Sequence, residues 1–177
     1  RIVRASRLEA PVSFAQERLW FLERLQQGGT VYNVPARLPL HGAVDEAALE
    51  RALGEIVRRH EVLRTTFREN GGVPVQVITP FAGFVLLVED LSALNGAARE
   101  EVAQQAAEDV ARPFDLVTGA PFRARLLRLS AEERVLLLCM HHIVSDGWSL
   151  GVLFGELTVL YDAYRDGRAS PLADPPG

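Results

Sequence analysis

The residues best suited to chemistry are two adjacent histidines, His141 and His142, which are half of the chain's four histidines. They end an apolar segment and are followed by Asp146 and Gly147. Because side chains alternate along a strand, the two imidazoles point to opposite faces, and only one of them can line a given cavity. An imidazole with a pKa of about 6.5 can accept a proton near neutral pH. We therefore predict that His142 lines the cavity as a general base and that His141 is structural.

The residues after the histidines are suited to hold such a base in place. Asp146 is expected just before a helix, where a carboxylate can brace the loop through an arginine or backbone N–H groups. Gly147 lets the backbone approach a substrate closely, because it has no Cβ. A metal site is disfavoured, since the adjacent pair diverges while His41 and His60 are distant in sequence. A Ser-His-Asp hydrolase is also disfavoured, since the sequence has no Gly-x-Ser-x-Gly segment.

Helical and strand patterns alternate along the chain, and these elements must position the histidines. Helical spacing of apolar residues, together with start and stop signals, predicts helices over residues 14–25, 45–60, 100–111 and 148–165. Alternating or continuous apolar segments predict strands over residues 32–40, 62–68, 73–78, 84–88, 122–129 and 135–142. Several strands are joined by short turns, so their pairing must be mixed or largely antiparallel. The predicted fold is α/β, a two-layer sandwich with a mixed, largely antiparallel sheet.

Composition and charge exclude several classes of protein. The 177 residues are 48% hydrophobic and 24% charged, which is typical of one globular domain. The net charge of −4 and the scattered basic residues argue against a nucleic-acid partner. No apolar run approaches the roughly 20 residues of a transmembrane helix, and residues 1–10 lack the apolar centre of a signal peptide. The single cysteine, Cys139, indicates a reducing compartment, and we expect a cytoplasmic protein with no membrane partner.

Three segments together resemble the condensation domains of nonribosomal peptide synthetases, which belong with chloramphenicol acetyltransferase in one acyltransferase superfamily. Residues 141–147 match the family's HHxxxDG motif. Residues 13–20, SFAQERLW, resemble its SxAQxRLW motif, and residues 59–67, RHEVLRTTF, resemble its RHExLRTxF motif. Softer matches lie at residues 32–35 and 113–116 with Gly119. All appear in the family's order, so the resemblance covers nearly the whole chain.

The resemblance implies a chloramphenicol acetyltransferase-like fold made of two lobes in a V, with the active site between them. Two tunnels would reach that site, and each would admit the phosphopantetheine arm of a different carrier protein. The motifs of the second lobe are absent. The chain also starts without Met and ends in a Pro-rich stretch. We therefore expect residues 1–170 to be the N-terminal lobe of a condensation domain and residues 171–177 to be a truncated inter-lobe linker.

The family's activity implies a role for each residue of the motif. The reaction is amide formation between two carrier-bound thioesters, in which His142 would be the catalytic base or would position the acceptor amine. His141 would support the site, and Asp146 would pair with Arg59, although the helical pattern alone predicts that Arg59 is a solvated charge. The acceptor tunnel would be lined by Gly147, Trp148 and Ser149. No metal and no cofactor bound by the chain itself is expected.

The implied partners are the missing C-terminal lobe and two peptidyl carrier proteins, an upstream donor and a downstream acceptor. The chain would then be an enzyme fragment that is inactive without its second lobe. Three alternatives remain open: a noncatalytic module that docks and recruits partners to the assembly line, an epimerisation-type relative, and an acetyltransferase-type enzyme completed at an oligomer interface. A heterocyclisation domain is disfavoured, because its DxxxxD pattern is absent here.

Overall fold

A computed structural model of the chain describes residues 9–25, 29–145 and 147–173, apart from the side chains of residues 147–149. Four α-helices, one 3₁₀ helix and seven strands follow one another in this part of the chain. In order they are β1 (Glu9–Pro11), α1 (Phe14–Leu25), β2 (Asn33–His41), α2 (Glu46–Arg59), the 3₁₀ helix (Glu61–Arg64), β3 (Thr65–Asn70), β4 (Val73–Ile78), β5 (Leu87–Asp90), α3 (Gly96–Ala111), β6 (Phe122–Arg128), β7 (Glu133–His141) and α4 (Gly147–Arg165).

The strands form two sheets in the described residues. One sheet has the order β1-β4-β3 and is antiparallel throughout. The other has the order β2-β7-β6-β5, in which only the pairing of β5 with β6 is parallel. The predicted α/β fold with mixed, largely antiparallel pairing is therefore confirmed.

Strand β7 is central to the larger sheet, and both of its faces are buried. Leu136, Leu138 and Met140 pack in one apolar cluster with residues of α2 and α4. Leu137 and Cys139 belong to a second cluster, which contains residues of α3 and Trp20 of α1. Helices therefore cover both faces of this sheet, which adds a second helical layer to the predicted sandwich. A strand buried on both faces explains the continuous apolar run in the sequence.

Local residue chemistry explains where several elements begin and turn. Asp45 caps α2, with its carboxylate accepting from the Ala48 N–H at 2.9 Å. Asn95 caps α3 in the same way, which is why this helix begins at Gly96 and not at the predicted residue 100. The β3–β4 hairpin turns at Gly71 and Gly72, whose φ angles of 59° and 85° favour glycine.

Two strand predictions were wrong in their boundaries, and one strand was missed. The predicted strand over residues 62–68 is a 3₁₀ helix as far as Arg64, and only then does β3 begin. The 3₁₀ turn buries Leu63, and the Thr65 hydroxyl donates to the Glu61 carbonyl at 2.7 Å. The strand predicted over residues 84–88 begins at Leu87. Strand β1 has only three residues, too few for a period-2 pattern to reveal.

We expect the unfolding free energy of the Glu46→Gln variant to decrease less on acidification than that of the native chain. Hydrogen bonds from Arg128, opposed by partial burial and supported by Arg134, hold the pKa of Glu46 below its ordinary value of 4.5. A carboxylate with a lowered pKa stabilises the fold above its unfolded pKa, and this contribution is lost as the pH falls through the folded value. At neutral pH the variant should lose about 1.5 kcal/mol of unfolding free energy, because hydrogen bonds to a charged group are removed.

Urea unfolding at pH 7 and at steps below pH 4.5 measures this difference. The control is Glu100→Gln, an exposed residue of α3. The prediction would be contradicted if the unfolding free energy changed with pH equally in Glu46→Gln and in the native chain.

Candidate functional site

The two histidines lie where β7 leaves the sheet. His141 is the last residue of the strand and pairs with Asn33 of β2. Its backbone N–H donates to the Pro121 carbonyl at 3.0 Å, and the N–H of His142 donates to the Tyr32 carbonyl at 2.7 Å. Both backbones are held, although His142 already lies in the turn after the strand. The site therefore lies at the end of a central strand, where backbone hydrogen bonds on both histidines keep it in position.

His142 has an exposed side chain whose tautomer is set by one contact. Its Nδ1 lies 2.6 Å from the backbone oxygen of Ser145. A carbonyl oxygen only accepts hydrogen bonds, so Nδ1 must carry the proton in this contact. The neutral ring then presents an unprotonated Nε2. Such a nitrogen can accept a proton from a substrate, which is the requirement for a general base.

His141 lies in the opposite environment, with a side chain that is fully buried. Its Nδ1 accepts the N–H of Ile143 at 3.1 Å, and its Nε2 lies 3.4 Å from a carboxylate oxygen of Glu23. The ring packs edge-on against Phe114, with 6.1 Å between ring centroids. Burial lowers the pKa of His141, opposed by the charge of Glu23. A neutral, hydrogen-bonded ring of this kind is suited to holding the loop and cannot reach a solvent-borne substrate.

Ser145 closes the turn between the histidines and α4. Its side chain is buried, and its hydroxyl donates to the His141 carbonyl at 3.1 Å. Its own carbonyl is the acceptor for His142 Nδ1. The hydroxyl and the carbonyl of Ser145 are thus both engaged within the loop.

Arg59 is buried, so the helical pattern was wrong to predict a solvated charge. Its side chain is 4% exposed, and Nη2 lies 3.4 Å from Oε1 of Glu156 on α4. Its Nη1 donates to the Leu172 carbonyl at 3.3 Å. The predicted partner, Asp146, lies outside the described residues, so its pairing with Arg59 stays a prediction.

Glu156 joins α4 to the end of α2 through two partners. Besides Arg59, it accepts from His60, with 2.7 Å between Nε2 and Oε2. Burial alone would raise the pKa of Glu156, but hydrogen bonds from His60 and Arg59 lower it below its ordinary value. The cluster therefore fastens α4, the helix that begins directly after the histidine loop.

Comparison with known proteins identifies the family of this chain. A family model for the condensation domain matches residues 6–176, nearly the whole chain. The chain belongs to the condensation domain family. Chondramide synthase cmdD from Chondromyces crocatus is 49% identical over 94% of the chain, and phosphinothricin tripeptide synthetase PhsC from Streptomyces viridochromogenes is 47% identical over 92%. The chain spans only 4% and 15% of these two relatives.

Solved structures agree with this assignment. The X-domain from teicoplanin biosynthesis is 34% identical with a TM-score of 0.82, and the match covers 98% of this chain and 36% of that one. The first condensation domain of the CDA synthetase is 27% identical with a TM-score of 0.83, over 96% of this chain and 43% of that one. The predicted family and its chloramphenicol acetyltransferase-like fold are thus confirmed, and the chain spans less than half of each solved domain.

Two acidic residues in this condensation domain were missed by the sequence analysis. Glu156 lies on α4 between the buried Leu153 and Leu157, and an acid between two apolar positions of one helix face was a usable signal. Glu23 lies on α1 and is buried, but nothing in its local pattern distinguishes it from a surface glutamate. Neither contact is local, because Glu156 lies 97 residues from Arg59 in the sequence and Glu23 lies 118 residues from His141.

The remaining predicted residues are placed only in part. Gly147 begins α4, and the side chains of Trp148 and Ser149 lie outside the described residues, so their role as tunnel lining stays a prediction. Beside the loop, a cavity of about 130 Å³ lies between α2, β7 and α4, lined by residues that include His60, Met140 and Val144. No metal-binding group of three or more His, Cys, Asp or Glu side chains occurs in the described part of the chain. Within that same part, the helices are too short or too polar to cross a bilayer.

Proposed function

We propose that this chain supplies the histidine half of an active site that forms amide bonds between two carrier-bound thioesters in nonribosomal peptide synthesis. The observation that carries the proposal is the exposed ring of His142, whose Nδ1 is anchored to the Ser145 carbonyl and whose Nε2 is left as the acceptor. Membership of the condensation domain family supports the reaction class. The expected partners are the C-terminal lobe of the same domain, an upstream donor carrier and a downstream acceptor carrier.

The proposed step joins the α-amino group of the acceptor to the carbonyl carbon of the donor thioester. A C–N bond forms and the C–S bond breaks, so the donor arm leaves as a thiol. The amine must lose one proton, which Nε2 of His142 accepts and which then passes to the leaving sulfur. A thioester is already activated, so aligning the two tethered substrates supplies much of the rate enhancement.

The surrounding residues have supporting roles in this proposal. His141, Arg59 and Asp146 hold the loop, and the tunnel for the acceptor is lined by Gly147, Trp148 and Ser149. The phosphopantetheine arms belong to the carriers and deliver the substrates. The burial of Arg59 supports its role, because a guanidinium excluded from water is retained only with fixed partners.

A reconstituted condensation assay tests the proposal. Donor and acceptor carriers are loaded with aminoacyl groups, mixed with the complete synthetase that contains this chain, and the acceptor is analysed by mass spectrometry. We expect a dipeptidyl acceptor with the complete protein and none with the isolated chain, since half of the cleft is then missing. Absence of dipeptide from the complete, loaded protein would overturn the function. Product from the isolated chain would overturn the need for a second lobe.

Recruitment of another enzyme is a second candidate function, favoured by one structural similarity. The chain is 32% identical, with a TM-score of 0.81, to the X-domain in a complex of that domain with OxyB from teicoplanin biosynthesis. A module of this kind would bind its partner and form no dipeptide in the same assay. An epimerisation-type relative would instead invert the α-carbon of a peptide on one loaded carrier, which chiral analysis of the released peptide detects.

A further inference from the structure

The carboxylate of Glu23 reaches from α1 to the buried histidine of the site. Glu23 is 7% exposed, and its Oε2 lies 3.4 Å from Nε2 of the fully buried His141. The sequence separation of 118 residues makes this a tertiary contact between the first helix and the end of β7. The motif roles given above leave Glu23 without a function.

The partners of His141 decide which ring nitrogen carries its proton. The Ile143 N–H donates to Nδ1 at 3.1 Å, so Nδ1 must be unprotonated. The neutral ring then has its proton on Nε2, which needs an acceptor because the ring is excluded from water. Glu23 is that acceptor. The carboxylate therefore selects the one tautomer that can hold the Ile143 backbone.

A continuous series of hydrogen bonds links this tautomer to His142. The Ile143 N–H is held by His141, and the Ser145 hydroxyl donates to the carbonyl of the same histidine at 3.1 Å. The Ser145 carbonyl then accepts from Nδ1 of His142 at 2.6 Å. From α1, Gln16 also donates to the Ile143 carbonyl, at 3.5 Å. The turn that presents His142 is thus tied to α1 at its centre.

Stability alone does not explain a carboxylate at this position. The second oxygen of Glu23, Oε1, is buried and has no hydrogen-bond partner among the residues that the structure describes. An unsatisfied buried oxygen is unfavourable, and an apolar side chain of similar size would avoid it. Retaining an acid here is consistent with a requirement for its acceptor.

We propose that Glu23 is a positioning residue for the amide-forming reaction, which acts through the His141 tautomer to fix the turn carrying His142. The inference rests on the proposed function of His142. A displacement of about 1 Å in a reacting group can lower a rate about 100-fold, so loss of this acceptor should be visible in turnover.

Three substitutions of Glu23 in the complete synthetase distinguish its role as a hydrogen-bond acceptor from the effects of its charge and of its packing. Glu23→Gln keeps an oxygen at the same reach without charge, and we expect amide formation within about threefold of the native rate. Glu23→Asp keeps the charge but withdraws it by one methylene, and Glu23→Leu removes the acceptor. For both we expect kcat to fall about 30- to 100-fold, with KM for the loaded carriers unchanged. Thermal unfolding shows which variants are folded, and the Asp and Gln pair decides the matter if the Leu variant is not.

The order of rates decides the outcome. Native activity in Glu23→Asp, or equal losses in Glu23→Gln and Glu23→Asp, would overturn the inference. In the background of His142→Ala, Glu23→Leu should lower the residual rate no further, because it acts through the missing ring. An additional loss there would also overturn it. If His142→Ala itself kept the native rate, the proposed function of His142 would fail, which is a result distinct from all of these.

Discussion

The His142→Ala variant of the complete synthetase should lose at least about 100-fold in dipeptide formation while both carriers still load. A positioned general base contributes roughly 10²- to 10⁴-fold, and alanine removes the only nitrogen of this residue that can accept the substrate proton. The exposed ring makes no packing contribution comparable to that of His141, so the variant should fold. Single-turnover assays with loaded donor and acceptor carriers measure the loss directly.

His41→Ala is the matched control for this experiment. His41 is also an exposed histidine at a strand end, but it pairs with Glu133 at the opposite end of β7. We expect native turnover from the control. Unchanged dipeptide formation by His142→Ala would remove this residue from the mechanism, and an equal loss in both variants would show that the effect is not specific to the site.

The Arg59→Ala variant should lose about 3 kcal/mol of unfolding free energy. Removing one partner of a buried ion pair typically costs about 3–5 kcal/mol, because the other charge is left without compensation in a region excluded from water. We expect the lower end of this range, since His60 still contacts Glu156. The Leu172 carbonyl also loses its donor. Denaturant unfolding of the native and variant chains under matched conditions gives the difference.

The neighbouring arginine provides the control. Arg58 is 43% exposed on its side chain and pairs with Glu55 one helical turn away, at 2.8 Å. Water still screens the exposed arginine of this pair, and helix pairs of this spacing contribute about 0.5 kcal/mol, so Arg58→Ala should lose much less stability than Arg59→Ala. A loss for Arg59→Ala no larger than that for Arg58→Ala would show that the buried pair is not a stabilising contact.

Much of the secondary structure was predictable because its causes are local. The α1 prediction matches Phe14–Leu25, and the two strands predicted before and after Gly71 and Gly72 are joined by a short turn, as expected. Boundaries failed where a cap or a tertiary contact decided them. Asn95 moved the start of α3, and burial of Leu63 turned the start of a predicted strand into a 3₁₀ helix. Such outcomes depend on which neighbours a residue meets, which periodicity does not report.

By itself, the sequence determined most elements of the fold, because spacing along a strand or helix follows from backbone geometry. Its three motifs, which include the pair of histidines, carried the resemblance to the family. Only the three-dimensional structure showed which ring nitrogen of each histidine carries the proton. The Ser145 carbonyl places the proton of His142 on Nδ1. Glu23, which is 118 residues from His141 in the sequence, places the proton of that histidine on Nε2. The same holds for Arg59, whose helical position suggested solvent but whose side chain is enclosed by α4 and Leu172. The contacts of Glu23 and Arg59 are fixed by packing between distant segments, and no local pattern contains that information.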